Sequence, residues 1–172
     1  MGKLDAILDQ MSRARSGLLS TADSVAASHW RASPGPDCWS AAEVVAHLTM
    51  VDTKIRSVAE RLIQQAPQAV PFWKKAHVPL RFVEWRLVRR KSPLSLDGSL
   101  LADKEVMLGR MRDARAQTLA FLSQEGERDL SAYRWPHPFL GSLSICDWFR
   151  FLAYHEMRHT KQLQEIVDHL QN

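Results

Sequence analysis

Only two cysteines occur in the 172 residues, Cys38 and Cys146, too few and too far apart for a disulfide framework. Both read as reduced thiols that behave as small buried hydrophobes. Alternation of apolar and polar residues with period two is nearly absent, so no sheet is expected. No apolar run approaches the roughly 18–20 residues that span a bilayer. Asp5 and Asp9 stand where a signal peptide would carry its apolar core, so the expectation is a cytoplasmic protein without membrane contact. Glycine (7) and proline (8) are scarce, which sets aside low-complexity and collagen-like chains. No internal repeat or linker is visible, and residues 1–172 read as one domain.

What is present is a composition of 45% apolar and 24% charged residues with a net charge of +4, sufficient for an ordinary buried core. The prolines fall in three clusters: Pro34 and Pro36; Pro67, Pro71, Pro79 and Pro93; Pro136 and Pro138. Because proline inside a helix costs about 3 kcal/mol, the proline-free stretches 1–33, 37–66, 94–135 and 139–172 are where long helices can form. Each carries apolar residues at helical spacing. The first has Leu4, Ile7, Leu8, Met11, Leu18, Ala22 and Val25; the second has Val44, Leu48, Val51, Ile55, Val58 and Leu62. The third is looser, with Leu100, Met107, Met111, Ala114, Leu119 and Leu122, and the fourth runs from Trp148 and Leu152 to Leu163, Ile166 and Leu170. Ser40 and Glu43 form a capping-box pattern, and Ser99 and Ser144 are candidate N-caps, with Asp103 and Asp147 adding charge in the first turn.

These features predict an all-α four-helix bundle. About thirty residues separate the second helix from the third, far more than antiparallel neighbours need. A long crossover of that kind predicts an up-down-down-up topology, with a short helix over 80–90 inside it. Residues 73–93 hold seven cations (Lys74, Lys75, Arg81, Arg86, Arg89, Arg90, Lys91) against Glu84, interleaved with Trp73, Phe82 and Trp85. Such a segment could meet an anion, but a solvated loop face over the bundle is the simpler reading, and nucleic acid is not expected as a partner.

The fourth helix carries His155 and His159 in HEMRH, four residues apart and on the apolar stripe. Buried imidazoles are costly unless their nitrogens are satisfied, and an i, i+4 pair can converge on one ion. His47 lies at the edge of the second helix's stripe. Three histidines from two helices would make a divalent metal site with an open position, suited to zinc or nickel. HEMRH also matches the H-E-x-x-H protease signature. Its extended form fails here, because Gln162 stands at the glycine position and Glu165 at the third histidine. Glu156 is therefore read as a solvated or ion-paired surface residue. His77 and His137 read as loop histidines, with a place at a pocket mouth as the less favoured alternative, whereas His29 and His169 read as surface residues.

Trp39-Ser40 opening a helix, Glu43, His47, the lead-in HPFLGSLS and the late WFRFLAYHEMRHTKQ together resemble the DinB (YfiT-like) family of metal-dependent enzymes. The resemblance implies a four-helix bundle with one long crossover and a divalent metal held by three histidines, carried here onto His47, His155 and His159. It also implies a homodimer and a small-molecule substrate. Activities in the wider family include thiol transfer with bacillithiol, a mycothiol-dependent isomerase and proposed hydrolysis, so a low-molecular-weight thiol is an expected cofactor. Gln162, one turn beyond His159, could orient a ligand ring or a bound water; a plain amide at the core edge fits equally. The expected function is a metal-dependent thiol S-transferase or hydrolase. The alternatives are a non-catalytic metal-binding bundle of stress-response type and, less favoured, a zinc protease or a nucleic-acid binder.

Overall fold

In the computed structural model, residues 3–67, 77–84 and 101–171 are described. Four long helices dominate: α1 (Lys3–Ser24), α2 (Ala41–Leu62), α3 (Lys104–Gln124) and α4 (Ile145–Gln171). α2 begins where the capping box places it. The Ser40 hydroxyl accepts the Glu43 N–H at 3.3 Å, and the Glu43 carboxylate accepts the Ser40 N–H at 2.8 Å. Ser144 and Asp147 repeat the device at the start of α4, with reciprocal bonds of 3.1 and 3.2 Å. α3 starts later than its proline-free stretch allows, with Asp103 at the N-cap rather than in the first turn. The candidate cap Ser99 lies outside the described residues, as do Trp73, Trp85, Lys74, Lys75, Arg86, Arg89, Arg90 and Lys91 of the basic crossover. Of the short helix expected over 80–90, Leu80–Glu84 forms a 3₁₀ turn and the rest lies outside the described residues.

The core falls into two clusters, and their membership fixes the topology. One joins Ile7 and Met11 of early α1 to Ile55 and Ala59 of late α2, Phe121 and Leu122 of late α3, and Phe149 and Leu152 of early α4. The other joins Leu18 and Ala22 of late α1 to Val44 and Leu48 of early α2, Met107 and Met111 of early α3, and Leu163 and Ile166 of late α4. Helices α1 and α4 therefore run from the first cluster to the second, and α2 and α3 run back. The bundle is up-down-down-up.

Two expectations are corrected. A small sheet exists: β1 (Arg134–His137) and β2 (Gly141–Ser144) form an antiparallel hairpin in the register Trp135 to Leu143. Four-residue strands bounded by proline and glycine are too short to show a period in the sequence. The hairpin depends on α4 for its support: Trp135 stacks on Trp148 at 4.6 Å, and the Trp148 indole N–H donates to the Trp135 carbonyl. Gly141 adopts φ 90°, a conformation that glycine enters without a Cβ penalty. There His77 bridges to Gly141 and the Val78 N–H donates to Leu140, tying the crossover to the hairpin.

An internal repeat also exists. Met-x-x-Ala-Arg occurs at 11–15 and again at 111–115, and the burial pattern of residues 11–20 matches that of 111–120 position for position. The Ser40/Glu43 cap has its counterpart in Ser144/Asp147, and each serine is followed at the same spacing by a buried acid, Asp52 and Glu156. The α1–α2 pair and the α3–α4 pair are thus related by a pseudo-two-fold axis. So few residues are shared, and the spacing between the halves differs so much, that the repeat emerges only when burial is known. No helix among the described residues is long and apolar enough to cross a membrane.

Candidate metal centre

His47 sits two turns into α2, below the Ser40 cap, and is 5% exposed. Across from it, α4 presents His155, partly buried, and His159, 7% exposed. The three expected ligands do come together. His155 Nε2 lies 3.4 Å from His47 Nε2 and 3.2 Å from His159 Nε2, and one ligand nitrogen from each ring falls within 4.8 Å of the other two. Two nitrogens bound tetrahedrally at about 2.0–2.1 Å from a zinc ion stand roughly 3.3 Å apart. The two short separations match that edge.

Protonation favours the same arrangement. Burial pushes His47 down to about 4. His155 is held well below its ordinary value, first by burial and then by repulsion from His159, His47, Arg158 and His137. Both rings are therefore neutral near pH 7 and carry a lone pair. His159 has its tautomer set by Gln162, whose Oε1 accepts the Nδ1–H at 2.8 Å, so that Nε2 is the nitrogen turned toward His155. The Nδ1 atoms of His47 and His155 are buried without a hydrogen-bond partner. Unpaired buried polar atoms of this kind are rare in a settled core, and here they belong to two rings whose other nitrogens converge.

Aromatic rings enclose the cluster. Trp39 lies 5.0 Å from the His47 ring and stacks on His159 at 6.2 Å and 13°. Phe151, one turn before His155, stacks on it at 5.2 Å and 17°. His137 packs edge-on against Phe151 at 4.7 Å, and burial lowers it to about 4. It thus lies one ring behind the centre. His77 is not at the centre: its Nδ1–H donates to the Val78 carbonyl, and its Nε2 lies 3.6 Å from Asp147. Phe151 was not singled out from the sequence, although an aromatic residue four before a candidate ligand is a usable signal.

Glu156 is a correction. It is 1% exposed and points into the core, where both Arg15 and Arg115 bond it. It shares the inner stripe of α4 with Leu152, His159 and Leu163, and its own side chain leaves the helix 100° around from that of its neighbour His155. Of the cysteines, Cys146 is buried, while Cys38 is exposed rather than in the core; neither forms a disulfide.

A family model described as the DinB superfamily matches residues 10–163. The chain belongs to the DinB superfamily. Uncharacterized protein YuaE of Bacillus subtilis (strain 168) is 27% identical over 139 residues, covering 80% of this chain and 83% of that one. A solved four-helix bundle protein, TT2238, aligns with a TM-score of 0.61 at 23% identity, covering 94% of this chain and 98% of that one. That likeness concerns the fold alone. The matched DinB span contains all three histidines, Gln162 and the four buried charges of the bundle centre.

Proposed function

We propose that this DinB-superfamily protein holds a divalent cation, zinc or nickel, on His47, His155 and His159, and uses it to activate a small thiol or a water molecule. The observation that carries the reading is the pair of Nε2 separations, 3.4 and 3.2 Å, with His47 and His155 kept neutral by burial. A divalent ion in such a site supplies the Lewis acidity that lowers the pKa of a thiol or water toward neutrality.

The chain's own groups supply binding and orientation. Gln162 fixes the His159 tautomer. Trp39 and Phe151 exclude bulk water from two of the rings by lying against them. Glu156 does not serve as the general base of an H-E-x-x-H protease, since both arginines bond its carboxylate inside the core. That observation favours the transferase or hydrolase reading over the protease. It also supports a second reading, a metal-binding bundle without turnover, because the acid of the H-E-x-x-H pattern is engaged by Arg15 and Arg115.

Metal analysis of protein purified without added ions tests the proposal, with about one equivalent expected. Less than a tenth of an equivalent, with no uptake on titration, overturns it. Assays of the loaded protein with bacillithiol, mycothiol and glutathione then separate a transferase from a hydrolase, and absence of turnover with any of them favours the inert bundle.

A further inference from the structure

Between the two core clusters lies a layer of charge to which every helix contributes one residue: Arg15 from α1, Asp52 from α2, Arg115 from α3 and Glu156 from α4. They are 5%, 0%, 4% and 1% exposed. Glu156 Oε1 accepts from Arg15 Nε at 3.0 Å, Arg15 Nη2 at 2.5 Å and Arg115 Nη2 at 2.7 Å. Asp52 Oδ2 accepts from Arg15 Nη2 and Arg115 Nε, both at 3.0 Å, and its Oδ1 accepts from the Thr118 hydroxyl at 2.6 Å. The arginines are exchanged across the pseudo-two-fold axis. Arg15 donates to the Met111 carbonyl and Arg115 to the Met11 carbonyl.

The geometry points to a role for this layer beyond holding the bundle together: Arg15 and Arg115 are positioning residues that set α2 against α4 in the register the three imidazoles require. The inference rests on the metal-binding reading above. Its basis is the division of labour among the helices. The two acids belong to the helices that carry histidines, and the two arginines to the helices that carry none. Glu156 adjoins His155 in sequence, and Asp52 lies little more than a turn beyond His47. One residue of slip moves a helix by 1.5 Å and turns its side chains by 100°. A slip of that size would destroy the 3.4 Å approach of His47 to His155 and pull an acid from the arginine forks at the same time. Planar guanidiniums that bond both carboxylates at once resist such a slip.

Stability alone is a poor explanation for the layer. A buried ion network gains little over apolar residues of similar volume, and Glu156 Oε2 is left buried without a donor. The frame is also more symmetric than the site it supports. By the spacing from the two serine caps, the counterparts of His47, His155 and His159 are Phe151, Val51 and Ile55, all buried and apolar. Only one of the two equivalent positions carries imidazoles.

The test replaces the layer in the full chain with apolar residues, Arg15→Met, Asp52→Leu, Arg115→Met and Glu156→Leu together, and titrates it with Co²⁺ while following the visible spectrum and the thermal melt. The expected result is a folded chain with Co²⁺ affinity lowered about ten- to a hundredfold and an altered ligand-field spectrum. Wild-type affinity and spectrum in that variant overturn the inference. If the quadruple variant does not fold, Arg115→Lys decides, since it keeps the charge and loses the fork. Co²⁺ binding weaker by about fivefold or more supports the role, and unchanged binding overturns it. Glu156→Gln, which keeps the shape and the acceptor oxygen, is expected to stay within about threefold of wild type; a loss as large as in the quadruple variant also overturns it. A wild-type chain that takes up no Co²⁺ removes the metal-binding reading itself, an outcome distinct from wild type and variants binding alike.

Discussion

Gln162 Oε1 accepts a hydrogen bond from the Nδ1–H of His159 at 2.8 Å, and so decides which nitrogen of that ring faces His155. Partners of this kind usually matter ten- to a hundredfold to metal affinity. Gln162→Leu is therefore expected to weaken Zn²⁺ binding by about that factor, with little change in the melting temperature of the metal-free chain, because the amide is only half-buried. Competition titration against a chromophoric chelator measures the first, and calorimetry the second. Unchanged affinity would make Gln162 the plain core-edge amide that its position also allows.

His47 and His155 are unusual core residues because each buries an Nδ1 without a partner. An unsatisfied buried polar group costs about 1–3 kcal/mol. In the absence of metal, His47→Leu is thus expected to melt at the wild-type temperature or a few degrees above it. With metal, only wild type is expected to gain, by about 3 kcal/mol at a hundredfold excess over Kd. Thermal melts with chelator and with Zn²⁺ check both halves. A metal-free variant that melts well below wild type would mean that the imidazoles serve the core directly.

Much of this was legible in the sequence, for reasons that differ residue by residue. Ser40 and Glu43 announced α2 because a capping box is a local device, readable from four positions. His155 and His159 mark a candidate site because helical spacing places i and i+4 on one face. The topology followed from the length of the crossover. The charge layer stayed hidden because its members occupy gaps in the apolar stripes. Arg15 falls between Met11 and Leu18, Asp52 between Val51 and Ile55, and Arg115 between Met111 and Leu122. A charged residue in such a gap reads as a solvated edge until its partners on three other helices are known. Glu156 reads as a surface residue for the same reason, and the hairpin leaves no signal because two strands of four residues carry too little pattern.

Acid is expected to destabilise the metal-free protein. Burial lowers His47 and His137 to about 4 and takes His155 well below its ordinary value. Between about pH 6.5 and 4 the unfolded chain binds protons on these rings and the folded chain does not, so stability falls as pH falls through that window. Above pH 6.5 both states are neutral and the contribution is complete. His47 alone accounts for a loss on the order of 3 kcal/mol between pH 7 and 4. Urea denaturation of the chelator-treated chain at pH 7.5, 6 and 5 measures the slope, and His47→Leu is expected to flatten it. A stability that is level from pH 7.5 to 5 would show that these rings remain ordinary histidines.

Trp39 offers an optical view of the same centre. Its ring lies 5.0 Å from His47 and 6.2 Å from His159, close enough for a paramagnetic ion held on those imidazoles to quench its fluorescence. Trp148, in contrast, is separated from His155 by Phe151, which it meets at 5.5 Å. Titration of Ni²⁺ or Cu²⁺ is expected to quench emission with the same midpoint as metal uptake. Trp39→Phe should remove the larger part of that quench, and Trp148→Phe should leave most of it. Quenching that persists in Trp39→Phe at full strength would place the ion elsewhere on the chain, and quenching that survives His155→Ala would do so independently.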